Sequence, residues 1–285
     1  MISKFAVSPM SQSIDLKPGD TYTGSITIGN PSDATEDFHY KISLSPYSIA
    51  SDGYEPDFVT MSDKSNIVNW TKLETETGTL KPNESKKINF TITVPETAPG
   101  GGQYLMIGVS SNSEVNSSDN GGALQDVMEM GSVVLANIDG EVTHEGKILE
   151  NVTPGFITEG LPKTKVVISN TGNVHETATA TITVKNVFTG QDAISTQNDD
   201  NVYRITVLPD STRTVDRDIE SLPQLGIFEV KQTISYLGEE SSVSSTLIIC
   251  PIWFIALVIA TIASIIGMII YGAHLRKKKR REFEE

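Results

Sequence analysis

From Leu247 to Tyr271 the chain reads LIICPIWFIALVIATIASIIGMIIY, a run without one charged residue. As a helix rising 1.5 Å per residue, it exceeds the roughly 30 Å hydrocarbon core of a bilayer. Pro251 stands where the helix would start, a position where its missing N–H costs nothing. Trp253 and Tyr271 lie near the two ends, as the aromatic belts of a membrane span prefer. A buried core helix is the competing reading, and the run is too long and too uniformly apolar for it. Directly after it comes Arg276-Lys277-Lys278-Lys279-Arg280-Arg281. Cations flanking a span stay in the cytoplasm, so the sequence predicts a span over 247–271, a basic cytoplasmic tail over 272–285 and a body outside the cell membrane.

Export of that body calls for a leader. MISKFAVSPM offers no apolar stretch, so the expectation is a leader encoded upstream or removed. Leu161-Pro162-Lys163-Thr164 looks like a sortase signal, but Lys165 stands where Gly is needed, and the likeness is read as coincidence. Cys250 is the sole cysteine, so the body has no internal disulfide and must be held by its core. That favours a bacterial surface protein. Palmitoylation of Cys250 is the alternative to a packed or free thiol.

Net charge is −14, unevenly spread: the tail from Arg276 carries +3 and the rest −17. An acidic body repels phosphate backbones, which argues against a nucleic-acid partner.

The body reads as strands. In Lys87–Val94 (KINFTITV), Ile88, Phe90, Ile92 and Val94 alternate with Asn89, Thr91 and Thr93, placing four apolar residues on one face. Thr21–Ile28, Thr164–Ile168, Ala178–Val184, Phe228–Tyr236 and Val243–Leu247 repeat the theme. Gly, Pro, Asn and Asp punctuate them at short intervals, the pattern of an all-β sandwich. A repeat is visible as well. Ser25-Ile26-Thr27-Ile28-Gly29-Asn30 and Val166-Val167-Ile168-Ser169-Asn170 both end a strand on an Asn turn. Leu80-Lys81-Pro82-Asn83 and Val207-Leu208-Pro209-Asp210 both lead into a further strand, and each is followed by a Gly-led aromatic strand at Gly102-Gln103-Tyr104 or Gly226-Ile227-Phe228. Two tandem sandwiches over 1–141 and 142–240 explain this order. The first would end on Met130–Ile138. Asn112–Gly122 reads as a polar loop, and Glu239–Ser245 as a short spacer before the membrane.

Phe5-Ala6-Val7-Ser8-Pro9, Leu16-Lys17-Pro18-Gly19, the strand ending in Asn30, Trp70 ahead of Leu80-Lys81-Pro82, and Val94-Pro95 through Pro99-Gly100-Gly101-Gly102-Gln103-Tyr104 follow one another in the first half. This succession resembles the N-terminal domain of the WxL-interacting proteins of Gram-positive bacterial surfaces. The resemblance implies two immunoglobulin-like domains, one C-terminal span and a basic tail. It also implies peptidoglycan as a ligand of the first domain, host proteins as ligands of the second, and WxL-domain proteins as partners at the cell wall.

No catalytic signature stands out. His39, His144, His175 and His274 lack metal-ligand spacing, and GxSxG, Walker A and GxGxxG patterns are absent. His39 reads as a solvated strand residue and His175 as a structural hydrogen-bonder in a turn. Pro99-Gly100-Gly101-Gly102 leads into a strand rather than a helix, so it reads as a turn and not a phosphate cradle. Asn198, Asp199, Asp200 and Asn201 could hold calcium, though a polar loop is the preferred reading. Trp70 and Tyr104 are the candidate glycan contacts, against the preferred reading that both serve the core. The function expected is therefore non-enzymatic and cofactor-free: a membrane-anchored protein that binds or scaffolds wall or surface partners. A structural stalk, a strand-donating chaperone-like protein and a wall hydrolase are the rivals.

Overall fold

The computed structural model describes residues 5–49, 55–111, 129–194 and 202–282. The elements of the first half are β1 (Ala6–Ser8), β2 (Ser11–Leu16), β3 (Thr21–Gly29), β4 (Phe38–Pro46), β5 (Ser48–Ile49) and β6 (Pro56–Asp57). A 3-10 turn at Asp63–Ser65 and α1 (Ile67–Trp70) follow, then β7 (Thr71–Leu73), β8 (Thr77–Leu80), β9 (Ser85–Thr93), β10 (Gly101–Ser111) and β11 (Glu129–Ile138). The second half holds β12 (Gly146–Val152), β13 (Phe156–Ile157), β14 (Lys163–Asn170), β15 (Glu176–Asn186) and β16 (Asp192–Ile194). It continues with β17 (Val202–Val207), β18 (Ser211–Asp218), β19 (Gly226–Tyr236), β20 (Glu239–Ile249) and the closing helix α2 (Ile252–Glu282). The protein is thus mostly β, with several sheets and one apolar helix at its C-terminus.

In the first half, a sheet ordered β1-β3-β9-β7 and one ordered β2-β11-β10-β4-β8 close on a shared core. Period-two alternation builds that core: Ile26 and Ile28 of β3, Ile88, Phe90 and Ile92 of β9, and Leu105, Ile107 and Val109 of β10 all point inward and are buried. Asn89 and Thr93, on the opposite face of β9, are exposed. The chain changes sheets between β1 and β2, across a cis Ser8-Pro9 bond, so that β1 pairs antiparallel with β3 and β2 runs parallel to β11.

The second half repeats this order. β12-β14-β18 forms one sheet and β13-β20-β19-β15-β16 the other, with β17 also on β15. Again the first strand splits, at Pro154: β12 joins β14, and β13 runs parallel to β20. The repeat extends to single side chains. Asn30, at the end of β3, is buried and donates from Nδ2 to the carbonyls of Glu36 (3.0 Å) and Leu80 (3.1 Å). Asn170, at the end of β14, is buried and donates to Val174 (2.7 Å) and Val207 (3.0 Å). Leu80 and Val207 hold matching places before the two Pro-led turns. In those turns Asn83 (φ 65°) and Asp210 (φ 53°) take the left-handed conformation that Asn and Asp tolerate best. Asn30 therefore corresponds to Asn170, and each stands two residues beyond a buried Ile, Ile28 or Ile168.

Two compact units emerge. Unit 1 comprises residues 1–147, 168–178 and 206–214, and unit 2 comprises 148–167, 179–205 and 215–285. The structure corrects one expectation. Glu239–Ser245 is no spacer: β20 pairs with β19 from Glu239 through Ile249, and Leu247 and Ile249 are buried in the second core. Leu247–Ile249 thus belong to the sandwich, and the apolar helix starts at Ile252. The segments 112–122 and 198–201, read as a loop and a candidate calcium loop, lie outside the described residues.

Candidate functional site

The candidate site is α2, the apolar C-terminal helix. Within α2, the 23 residues Ile252–His274 are long and apolar enough to cross a bilayer, and none of the span is buried against the rest of the protein. At about 1.5 Å per residue it reaches roughly 35 Å, more than the hydrocarbon core requires. Exposed large side chains face every direction, among them Leu257, Ile259, Ile262, Ile266, Met268 and Ile269. A helix that packs on a globular core from one side shows one apolar stripe; one apolar all round is either enclosed by protein or set in a membrane. The Pro251 carbonyl accepts from the N–H groups of Phe254 (2.9 Å) and Ile255 (3.2 Å), so the proline starts the helix as expected. Inside the span, Thr261 Oγ1 donates to the Leu257 carbonyl at 2.8 Å, which satisfies its hydroxyl without water.

Trp253 and Tyr271 are 59% and 65% exposed. Eighteen residues separate them on the helix, about 27 Å, so both rings meet the interfacial layers when the intervening residues fill the core. Arg276, Lys277, Lys278, Lys279, Arg280 and Arg281 continue the same helix beyond His274, and Arg276 is exposed.

The proposed glycan pair fares differently. Tyr104 is only 2% exposed, packed in unit 1 with Leu135 and Leu208 and edge-on to His175 at 5.8 Å. A sugar cannot stack on that ring, so the glycan role of Tyr104 is corrected to a core role. Trp70 is half-buried and packs against the first core from the end of α1. The glycine stretch is explained by close packing. A Cβ on Gly100 would sit 2.6 Å from the Glu141 nitrogen, and one on Gly102 would strike the Tyr104 ring. Nothing there faces a helix N-terminus.

His39, His144 and His175 each meet a neighbouring side chain. His39 Nδ1 lies 2.8 Å from Thr79 Oγ1 on the outer face of β4, and His175 Nε2 lies 3.1 Å from Ser13 Oγ. Burial pushes the His175 pKa down, and the Glu176 and Asp15 carboxylates oppose that push. His144 Nδ1 meets Glu176 Oε1 at 2.5 Å. A cleft of about 410 Å³ in unit 1 is lined by Asp15, Asp20, Asp139, Lys17 and His144 among others. Two of its carboxylates serve the surrounding chain: Asp20 accepts from the Lys17 N–H (2.8 Å) and Asp15 from Asn137 Nδ2 (3.3 Å). Among the described residues, no group of three or more His, Cys, Asp or Glu is arranged to hold a metal.

The sequence missed a further feature, the edge of β20. β13 covers only Ile248 and Ile249 of its eleven residues. The N–H groups of Ile248 and Cys250 point to that side, bonding Gly155 O (2.8 Å) and Ile157 O (3.0 Å). By the two-residue period of a strand, Glu240, Ser242, Ser244 and Thr246 point their backbone groups the same way. Among the described residues, no strand pairs with them there.

No protein-family model matches the chain, and no curated protein does. Several solved structures are similar at low identity. One is a chaperone–tip adhesin complex of CFA/I fimbriae biogenesis, at 15% identity, with 86% of this chain and 98% of that one covered and a TM-score of 0.39. Another is the SafA pilin with the SafB chaperone of Salmonella enterica, at 10% identity, 87% and 97% coverage and a TM-score of 0.38. A third is the CsuC–CsuE chaperone–tip adhesion subunit complex of Acinetobacter baumannii, at 12% identity, 86% and 100% coverage and a TM-score of 0.36.

Proposed function

We propose that this chain is a single-pass, non-enzymatic membrane protein that presents two tandem immunoglobulin-like sandwiches at the outer face of a bacterial cell membrane and binds or scaffolds surface partners there. The observation that carries the reading is the span Ile252–His274, exposed on every side and apolar throughout. The basic residues from Arg276 onward orient it with the tail in the cytoplasm. The immunoglobulin-like assignment is supported by the recurring strand order, with a first strand split between two sheets in each half.

The WxL-interacting layout belongs to the same reading, with peptidoglycan and WxL-domain proteins as proposed partners. With Tyr104 closed to a glycan, a wall ligand would have to be met on another surface. Full-length protein in lipid nanodiscs, incubated with purified peptidoglycan and sedimented, tests this. Co-sedimentation supports wall binding, and a protein-free pellet argues against it.

A second reading, assembly by strand addition, is favoured by the open stretch of β20. An extended segment of a partner laid along Glu239–Thr246 would pair with backbone groups that β13 leaves uncovered. A partner bound this way would be lost when Ser244 is replaced by proline, which removes an outward N–H, while the fold survives.

A further inference from the structure

Beyond the helix itself, unit 2 carries a second apolar surface, and strand register places it. β20 reaches α2 through Cys250 and Pro251 alone. Ile248 pairs with Phe156 on one side and Ile227 on the other, and Ile249 pairs with Gly226, so Leu225 lies just past the same strand end. Asn186 pairs with Phe228, which brings the following turn, 187–191, to that end as well. The Val187 N–H donates to Ile227 O at 3.1 Å, and the N–H groups of Phe188 and Thr189 donate to Asn186 Oδ1 at 2.9 and 3.1 Å. The chain leaving β13 and the chain leaving β18 are tied there by the Ile219 N–H on Pro162 O at 2.8 Å. Three connections, 158–162, 187–191 and 219–225, thus gather at the end from which the helix departs.

These connections hold their apolar side chains outward. Phe188 is 77% exposed, with its turn fixed by the Asn186 side chain, and Phe156, Leu161, Val187, Leu225 and Ile248 are exposed beside it. Grouped exposed apolar residues on an otherwise acidic body mark a contact surface rather than a solvated one. Glu159, Thr189, Gln191 and Glu220 are interspersed among them, a mixture that suits the headgroup layer better than the hydrocarbon core.

We propose that this strand end of unit 2 is a lipid-contacting surface, with Phe156, Leu161, Val187, Phe188, Leu225 and Ile248 seated in the interfacial layer of the same bilayer that α2 spans. The occupant follows from continuity: two residues beyond β20 the chain enters the span, so this end meets the bilayer surface before any other partner can reach it. The inference rests on the reading of α2 as a membrane anchor. Its consequence is a body held against the membrane at one end and not free to swing on a tether.

The test uses full-length protein with Cys250→Ser, reconstituted in phosphatidylcholine vesicles. Spin labels go on Phe188→Cys, Leu225→Cys, Leu237→Cys in the turn at the far end of the β19–β20 hairpin, and Ile262→Cys in mid-span. Power saturation compares access of oxygen with that of a water-soluble nickel complex. The inference expects nickel access at 188 and 225 several-fold below that at 237, with oxygen access raised. Nickel access at 188 and 225 equal to that at 237, with 262 shielded, overturns the inference and leaves the anchor standing. Nickel access at 262 overturns both. Labels at 188 shielded from oxygen and nickel alike, with dipolar broadening, would assign the surface to a second copy and overturn the lipid contact. If Phe188→Cys does not fold, the label at 225 decides alone.

Discussion

The two halves of the body share one strand order and differ in how they close it. In the first, β2 runs beside β11 through six registered residues, Val133 to Ile138. In the second, β13 runs beside β20 through two. The cause is local. Ser11–Leu16 is a strand of six residues after Pro9, whereas Pro154 and Gly155 leave only Phe156 and Ile157 before the chain turns at Gly160 (φ 77°). The two halves therefore share a core pattern and its buried asparagines, while the length of one short segment decides whether a sheet edge is sealed. Sealed edges contribute stability; open ones are available to partners and also invite aggregation.

Proline substitutions break this comparison most sharply. The Val133 and Asp139 N–H groups donate toward β2, so by period two Leu135 does the same. Leu135→Pro should remove that bond and disturb its packing with Tyr104, costing about 3 kcal/mol or more. Ser244→Pro, at the uncovered edge of β20, should cost within about 1 kcal/mol. Urea unfolding of the detergent-solubilised protein measures both, and equal losses would mean that the β20 edge is covered after all.

The buried asparagines sharpen the likeness. Asn170→Ala removes three hydrogen bonds, including the one its Oδ1 accepts from the Gly172 N–H at 2.9 Å, and leaves buried carbonyls unpaired. A loss of about 2–4 kcal/mol is expected. Asn30→Ala removes two and should cost about 1–3 kcal/mol. Denaturation curves should rank Asn170→Ala as the more damaging, and the reverse order would deny the correspondence.

The smallest effect concerns His175. Burial holds its pKa below the ordinary value of about 6.5, so an unfolded chain binds the proton more readily. The contribution of the neutral ring to stability is complete above the unfolded pKa and is lost as pH falls through the lower folded value. His175→Gln should flatten the dependence of Tm on pH below neutrality by a small amount. An unchanged slope would place the acid sensitivity elsewhere.

Much of this was legible in the residues. The alternation of Ile88, Phe90 and Ile92 gave β9 its inner face, and the charge-free run gave an apolar helix long enough to cross a bilayer. The repeat was legible from its Asn and Pro turns, though the pairing of Asn30 with Asn170 needed the hydrogen bonds to Leu80 and Val207. Tyr104 was ambiguous because its cover includes Leu208, about a hundred residues away, a contact no local pattern reports. β20 was misread at both ends. Glu239-Glu240-Ser241-Ser242 is too polar to announce a strand, and Leu247–Ile249 is apolar enough to merge with the helix. Only the pairing with β19 separates them.

Orientation across the membrane is the claim on which the rest depends, and cysteine accessibility in intact cells measures it directly. In the Cys250→Ser background, a membrane-impermeant maleimide should label Leu237→Cys on intact cells and Phe283→Cys only after permeabilisation. Labelling of position 283 but not 237 on intact cells would invert the protein, and recovery of the chain in a carbonate-extracted soluble fraction would remove it from the membrane altogether.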